Sequence, residues 1–308
     1  MTPGDFIAAF DVIAEAPGGI ERLRELVLQL AVRGRLVPQD SGTESAAVLL
    51  EHIAEERARL VRAKKIGKQK PVPDLDHSAT AVELPSGWTW TCTAALGVVN
   101  PRNVAEDDAM VSFCPMPVIP TDYRQPIAPE TRRWGEIKKG YTHFAEGDVV
   151  VAKITPCFQN RKSCVMTGLE GGIGAGTTEL HVIRIIANKV VPEYLLLFYK
   201  SPDFLQMGIA TMTGTAGQQR VPREYFAYTP LPLPPLAEQH RIVAKVDELM
   251  GLIDRLEQHL VAKREGSLWI PGSCLEGVIP PAYLGAVRPF SLPSNQAFHH
   301  GQYPKSHR

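Results

Sequence analysis

The hydrophobic pattern of the first 70 residues predicts two amphipathic helices. The first helix carries apolar side chains on one face, at Ile20, Leu23, Val27 and Leu30. Gly34 follows as the predicted helix stop. The second helix has Ser45 as its predicted cap and an apolar side formed by Val48, Leu49, Ile53 and Leu60. Its far end, from Arg57 to Lys70, holds seven basic residues, which indicate either a solvated helix end or a contact with nucleic acid or a partner protein.

A third helical pattern follows Pro235 and keeps a strict heptad. Its apolar residues alternate steps of four and three, at Ile242, Val246, Leu249, Ile253, Leu256 and Leu260. An ordinary surface helix drifts off a heptad because its period is nearer 3.6 residues. The pattern therefore favours coiled-coil pairing. Two partners are open: the chain's own helix at residues 20–32, or the same helix of a second copy.

Between these helices, residues 84–228 show short alternating patterns that predict a mixed α+β fold with no βαβ rhythm. FAEGDVVVAKI predicts a turn and a buried strand, and VPEYLLLFYKSPDFLQMGI predicts a helix interrupted near Pro202. GTAGQQRVPREYFAYTPLPLPP predicts a turn, a strand and a proline run. The chain is therefore divided into a helical lead-in and linker (1–83), one globular mixed α/β domain (84–234), a coiled-coil helix (235–263) and an irregular, disordered tail (264–308).

The stretch GGIGAGTTELHVIRI superficially resembles a phosphate-binding loop. Such a loop needs a lysine after its last glycine, yet Thr177 follows Gly176 and no lysine comes next. The residues that follow alternate in period two and are rich in β-branched side chains, which predicts a strand over 178–185. The glycines are therefore expected to form a turn that leads into a sheet.

The composition excludes a strong net electrostatic field around the protein, because 33 basic residues balance 33 acidic ones. Such balance does not exclude DNA binding, since a basic face can be offset by acidic residues elsewhere. The five cysteines include no C-x-x-C pair, which favours reduced thiols in a cytosol over a disulfide framework. Neither a signal peptide nor a membrane span is indicated. We expect a soluble cytoplasmic protein.

Three catalytic interpretations find little support. TPCF, at residues 155–158, is similar to the loop that holds the target amine in amino-methyltransferases, but Cys157 replaces its second proline. Asp148 and Lys153 suggest a nuclease site, but Val151 stands where a second carboxylate would help hold Mg²⁺. His143 and His181 lack metal-ligand spacing, which favours core or surface roles. No catalytic residue, metal or cofactor is predicted, although a spatial triad stays open.

Three polar stretches carry instead the side chains that commonly contact DNA. They offer Lys153, Thr155, Gln159, Asn160, Arg161 and Lys162 in the first, Thr177, Thr178 and Glu179 in the second, and Thr213, Thr215, Gln218, Gln219 and Arg220 in the third. Arginine and lysine can pair with guanine, glutamine and asparagine with adenine, and glutamate with cytosine. Hydroxyls and backbone N–H groups suit phosphates. The alternative is that these are ordinary polar loops.

These features together resemble the specificity (S) subunits of type I restriction-modification enzymes. LPLPPLAEQHRIVAKVDELMGLIDRLE resembles the region that follows a target-recognition domain, and LRELVLQLAVRGRLVPQD resembles the N-terminal lead-in. Similarity extends to ELPSGWTW, GDVVVAKITPCFQNRKS, GGIGAGTTELHV and GTAGQQRVP, and covers roughly residues 5–263.

The resemblance implies a non-catalytic reader of double-stranded DNA that works without a cofactor. Methyltransferase (M) and restriction or motor (R) subunits are its implied partners and perform the chemistry. Usual members carry two recognition domains, each reading half of a split target, with helices that pair as an antiparallel coiled coil. This chain shows one recognition domain, which predicts either a half-subunit that dimerises or a truncated product. A stand-alone methyltransferase or nuclease and an inactive scaffold are the competing functions.

Overall fold

The computed structural model describes residues 16–40, 42–68, 70–73 and 83–264. Its helices are α1 (Gly19–Val32), α2 (Ala46–Arg62), α3 (Thr93–Leu96), α4 (Trp134–Ile137), α5 (Pro192–Lys200), α6 (Pro202–Thr211), α7 (Arg223–Tyr228) and α8 (Leu236–Arg264). Its strands are β1 (Thr89–Thr91), β2 (Gly97–Val99), β3 (Met110–Cys114), β4 (Glu130–Arg133), β5 (Thr142–Ala145), β6 (Val149–Ala152), β7 (Ser163–Val165), β8 (Ile173–Gly176), β9 (Leu180–Ile185) and β10 (Leu231–Leu233). The predicted α+β class is confirmed.

The strands form two four-stranded sheets and a two-stranded ribbon. The first sheet has the order β2-β9-β6-β7 and is antiparallel throughout. The second sheet has the order β4-β3-β8-β5, in which β3 and β8 run parallel. The ribbon pairs β1 with β10 and so brings the start of the mixed domain beside its end.

Strand β6 is the centre of the packing because both of its faces are buried. Successive side chains of a strand point to opposite faces. Val149 and Val151 accordingly join the core formed with the helices, while Val150 and Ala152 join the core between the two sheets. The predicted buried strand is confirmed, and its four consecutive apolar residues are explained by burial on both sides.

The glycine-rich stretch was predicted as a turn, but only Gly171 and Gly172 form one, and the residues from Ile173 to Gly176 form strand β8. Gly171 and Gly172 make the turn, with φ of 65° and 70°, and β8 begins at Ile173. A Cβ on Gly174 would lie 2.4 Å from the Ser112 carbonyl oxygen and 2.5 Å from the Phe144 ring. Glycine is needed there because backbone and a buried ring approach so closely. The following strand begins at Leu180, two residues later than predicted.

The prediction of a strand before the proline run was also wrong. Residues 223–228 form helix α7, which buries Tyr225 and Phe226 in the main core. The strand is the proline run itself, Leu231–Leu233. Pro232 is tolerated because it lies in a two-stranded ribbon, where its missing N–H leaves no central ladder incomplete. Its carbonyl accepts a 2.6 Å bond from the Tyr194 hydroxyl.

The two N-terminal helices begin and end close to their predicted residues. Gly34 ends the turn after α1 with φ of 65°, where a Cβ would lie 2.4 Å from Pro85. Ser45 directly precedes α2 but makes no side-chain capping bond with the described residues. Leu49 and Ile53 are buried, whereas the outer apolar positions of α2 are half-buried. The division into four segments stays a prediction. Residue 264, the first of the predicted tail, is the last residue of α8, and residues 265–308 lie outside the described residues.

Helix α8 packs antiparallel against α1 of the same chain. Arg24 donates 2.7 Å bonds to Asp254 and to Glu257, while Gln39, after α1, donates a 2.8 Å bond to Glu238 at the start of α8. Along the heptad seam, Ile242, Val246, Leu249 and Ile253 are buried, and Leu256 and Leu260 are half-buried. Of the two partners left open by the sequence, the structure therefore shows the intramolecular one. None of the helices in the described ranges is both long and apolar enough to cross a membrane.

We predict that Leu249→Ala lowers the free energy of unfolding by about 2–5 kcal/mol, because it leaves a cavity in a packed core. Leu249 is only 4% exposed. Val261→Ala on the same helix is the matched control, since Val261 is 47% exposed, and its effect should stay within about 0.5 kcal/mol. Urea unfolding of the full chain measures both values. Equal effects of the two substitutions would contradict the packing of α8 on α1.

Candidate nucleic-acid interface

The three polar stretches meet at one end of the first sheet. They are loop 1 (153–162), loop 2 (177–179) and loop 3 (213–220), and together they are called the three-loop surface. Loop 1 follows β6 and loop 2 precedes β9. Strands β6 and β9 are antiparallel neighbours, with Ala152 opposite Leu180. Both loops therefore lie at the same end of the sheet. Loop 3 joins them through a bridge between Ile154 and Arg220.

Backbone hydrogen bonds fix the three loops to one another. The Lys153 N–H donates to the Glu179 carbonyl at 2.9 Å, which ties loop 1 to loop 2. The Thr155 N–H donates to the Gln219 carbonyl at 2.9 Å, and the Val221 N–H donates to the Lys153 carbonyl at 2.8 Å. These bonds hold stretches far apart in the sequence in one arrangement, from which their side chains extend.

Arg220 and Glu179 form a bidentate ion pair on this surface. Arg220 donates from Nε to Oε2 at 2.9 Å and from Nη2 to Oε1 at 2.8 Å. These hydrogen bonds lower the pKa of Glu179. Lys153 lies beside the pair, and burial lowers the pKa of its ammonium while Glu179 opposes that change. The group therefore combines one carboxylate with two cations.

The remaining polar residues of the three-loop surface divide into exposed side chains and loop-shaping ones. Exposed to solvent are Gln159, Asn160, Thr178, Thr213, Thr215 and Gln218, while Gln219 is half-buried. The Thr155 hydroxyl accepts the Gln219 N–H at 3.1 Å, and the Thr177 hydroxyl accepts the Glu179 N–H at 3.2 Å. Each hydroxyl keeps a proton to donate. The surface thus offers amides and hydroxyls around one ion pair.

Two cations predicted for DNA contact are directed away from the other loops. Arg161 forms an ion pair with Glu25 of α1. The Lys162 ammonium donates to the carbonyls of Met116 and Ile119, at 3.1 and 2.8 Å. The two side chains thus attach the end of loop 1 to α1 and to the segment that contains Met116 and Ile119. Residue type alone suggested DNA contact, which stays a prediction, and the partners that the structure shows are distant in the sequence.

Lys200 supports the same loop and was missed by sequence reasoning. It is buried, and its ammonium donates 2.8 Å bonds to the carbonyls of Thr121 and Arg161. Burial lowers the pKa of Lys200 to about 7. The sequence YLLLFYK gave no signal for this role, because a lysine ending an apolar helix usually reaches solvent.

The two histidines have core roles, which is one of the two kinds of role that the sequence favoured. His181 is buried under the three-loop surface, where its Nε2 donates to the Val221 carbonyl at 3.1 Å and its ring stacks on Phe226 at 5.0 Å. Burial lowers the pKa of His181 to about 4. The His143 Nδ1 accepts the Asn103 N–H at 3.1 Å, and its Nε2 donates to a carbonyl.

The residues considered for a nuclease site are not brought together. Asp148 precedes β6 and Lys153 follows it, so they lie at opposite ends of the strand. Asp148 is buried and accepts from Arg184 Nε at 3.0 Å and Nη2 at 2.8 Å. In the TPCF stretch, Phe158 is a core residue. Asp148 and Lys153 therefore do not form the carboxylate-plus-lysine group that a nuclease site would need.

The basic end of α2 contains one structural arginine. Arg57 donates to the carbonyls of Ala94, Ala95 and Gly97 at 2.8, 2.9 and 3.2 Å, which ties the lead-in to the mixed domain. Arg59 pairs with Glu56. The other basic residues, Arg62, Lys64, Lys65, Lys68 and Lys70, are exposed. Solvation and a contact with a partner both stay open for them.

The sequence matches known proteins over most of the described residues. Residues 115–263 match the family model of the type I restriction modification DNA specificity domain. The chain is 51% identical over 241 residues to the type I restriction enzyme EcoAI specificity subunit of Escherichia coli, and equally to the EcoEI specificity subunit. Each alignment covers 78% of this chain, which spans 41% of the length of each relative.

Solved structures show a weaker likeness. A chain from a structure described as the basis of assembly and conformational transition of the type I R-M system is 16% identical, with a TM-score of 0.45, over 80% of this chain and 54% of that chain. The HsdS subunit from Thermoanaerobacter tengcongensis is 16% identical, with a TM-score of 0.41, over 80% of this chain and 56% of that chain.

We predict a pH-dependent stability contribution from His181, since its pKa of about 4 in the folded chain lies below its ordinary value of 6.5. Below pH 6.5 the unfolded chain binds this proton first, so the contribution is full above 6.5 and lost as pH falls to about 4. His181→Gln keeps a donor but does not titrate. Its stability deficit relative to the unmodified chain should shrink by roughly 3 kcal/mol between pH 7 and pH 4.

The check is the difference in urea-unfolding free energy between the two proteins at each pH, because shared carboxylates cancel in that difference. A deficit that stays constant with pH would show that His181 is not held neutral beneath the loops.

Proposed function

Because the chain belongs to the type I restriction modification DNA specificity family, we propose that it is a non-catalytic, sequence-specific DNA-binding subunit. Duplex DNA then lies on the three-loop surface. The observation that carries it is the convergence of loops 1, 2 and 3 through direct backbone bonds, within the region that matches the specificity domain. Ordinary polar loops need no such mutual fixing, whereas base reading needs side chains held in a set geometry.

The roles follow from chemistry and exposure. Amide side chains suit adenine, whose N6 and N7 offer a donor and an acceptor, and those on the surface are Gln159, Asn160, Gln218 and Gln219. Hydroxyls and the ammonium suit phosphates, and these come from Thr155, Thr177, Thr178, Thr213, Thr215 and Lys153. The remaining two residues, Glu179 and Arg220, are assigned to hydrogen bonds with the edge of a base. Arg161 and Lys162 are proposed to hold loop 1 rather than to contact DNA.

One three-loop surface suits one half of a split DNA target, and a second copy of the chain would supply the surface for the other half. Methylation and restriction then fall to M and R subunits, which we place on the helical frame of α1 and α8. Support comes from the curated relatives, which are named as subunits of restriction enzymes. The cytoplasm is the proposed location, in keeping with the free thiols of Cys92, Cys114 and Cys164.

We predict that Lys153→Gln weakens binding to all DNA sequences alike and lowers the steepness of the log–log salt dependence by about one, because one phosphate contact is lost. Lys189→Gln is the matched control, since Lys189 follows the opposite end of β9. Fluorescence anisotropy of labelled duplexes over a salt series measures both slopes. If Lys153→Gln behaves like the control, the DNA does not lie on this part of the surface.

We also predict that the purified chain alone neither methylates DNA, hydrolyses ATP nor cleaves DNA. Asp148 and Lys153 are separated by the length of β6, and Asp148 is occupied by Arg184, so these residues cannot form a metal-assisted hydrolytic site. Methyl transfer from S-adenosylmethionine, phosphate release and supercoiled-plasmid nicking are the measurements. Activity that copurifies with the chain and resists substitution of Asp148 would point to a different catalytic site.

A further inference from the structure

The hydrogen bonds of Arg220 leave a defined pair of its donors available. A guanidinium carries five N–H groups. Nε and Nη2 donate to the Glu179 carboxylate, and Nη1 donates to the Gln218 carbonyl at 3.1 Å. Glu179 therefore occupies one side of the guanidinium. One hydrogen on each terminal nitrogen, Nη1 and Nη2, has no acceptor among the described residues.

Solvent reaches both side chains of the ion pair. The Arg220 side chain is 44% exposed and that of Glu179 is 22% exposed. Two N–H groups on the terminal nitrogens of one guanidinium match the spacing of O6 and N7 on guanine. A carboxylate accepts about four hydrogen bonds, so Glu179 can accept another donor while it holds Arg220.

The backbone of Arg220 is held in place as well as its guanidinium. Its N–H donates to the Thr213 carbonyl at 2.8 Å, and its carbonyl accepts the Thr213 N–H at 3.0 Å. A side chain held at both ends loses little conformational entropy when a ligand binds. Lys153 adds a second positive charge beside the pair, so the group stays net positive towards DNA.

We propose, on the basis of the DNA-reading function above, that Glu179 and Arg220 act as one unit that reads a single C·G base pair in the major groove. Nη1 and Nη2 of Arg220 donate to N7 and O6 of guanine. Glu179 accepts from the N4 amino group of the paired cytosine. The order of the groups along the ion pair matches the order of atoms along the base pair. Nη2 is the terminal nitrogen that also bonds to Glu179, and O6 is the guanine atom adjacent to cytosine N4.

Other base pairs oppose this unit. Adenine at the guanine position turns its N6 donor towards the Arg220 donors, and its thymine partner turns the O4 acceptor towards the carboxylate. Two mismatched contacts arise from one change of base pair. The predicted preference is therefore steep at one position of the target and independent of the other positions.

The test is selection of bound duplexes from a random-sequence pool by the full chain, followed by dissociation constants for the enriched duplex. Wild type should enrich a site with one invariant C·G pair, and replacing that pair by T·A should weaken binding about tenfold or more. The variants are Arg220→Gln, Arg220→Lys and Glu179→Gln. Each should lose the preference at that pair and keep it elsewhere.

The variants separate charge from geometry. Arg220→Lys keeps the positive charge, so it should retain the salt dependence while losing the guanine contact that needs two N–H groups. Arg223→Gln is the matched control, since Arg223 is exposed just beyond loop 3 and should leave the enriched sequence unchanged. Thermal melting confirms that each variant is folded, and both substituted side chains are surface groups.

Each outcome decides between the claims. If wild type enriches a site and all three variants enrich the same one, the paired reading is overturned and the DNA-binding function stands. If only the Arg220 variants change, Arg220 reads alone and the two-residue unit is overturned. If wild type enriches no sequence, the proposed function fails and the pair fails with it.

Discussion

The antiparallel pairing of β6 with β9 is the constraint on which the rest of the structure depends. Both strands are buried on both faces, so neither can slip by one residue without moving apolar side chains into the wrong core. Ala152 therefore stays opposite Leu180. Since loop 1 leaves β6 where loop 2 enters β9, core packing determines which polar residues become neighbours. The geometry of the three-loop surface is a consequence of hydrophobic burial.

Buried polar groups then fix the positions of the loops that the strand register brings together. His181 and Lys200 lie in the interior, where the charged form of each is disfavoured. Such groups are tolerated because their donors are satisfied by the carbonyls of Val221, Thr121 and Arg161. Each carbonyl belongs to a connecting segment without regular structure of its own. The buried side chains thereby tie these connecting segments to the interior.

The sequence predicted the features that rest on local periodicity. The apolar run of β6 is buried throughout, and the heptad from Ile242 is buried as far as Ile253. It did not predict the strand at Ile173–Gly176, because the reason for glycine is a ring from another strand, Phe144. It also could not place Arg161, whose partner Glu25 is 136 residues away. Residue types suggested the candidate site. The ion pairs and hydrogen bonds that hold its loops depend on contacts between residues far apart in the sequence, which no local pattern encodes.

Helix α1 connects this surface to the helical frame directly. Glu25 pairs with Arg161 of loop 1, and the neighbouring Arg24 pairs with Asp254 and Glu257 of α8. Adjacent residues of one helix thus contact the surface proposed to read DNA and the helix proposed to hold partner subunits. Exposed ion pairs contribute little stability individually, so the core shared by Val27 of α1 and Leu249 of α8 holds the two helices together. The orientation of the three-loop surface relative to α8 is therefore fixed within the chain.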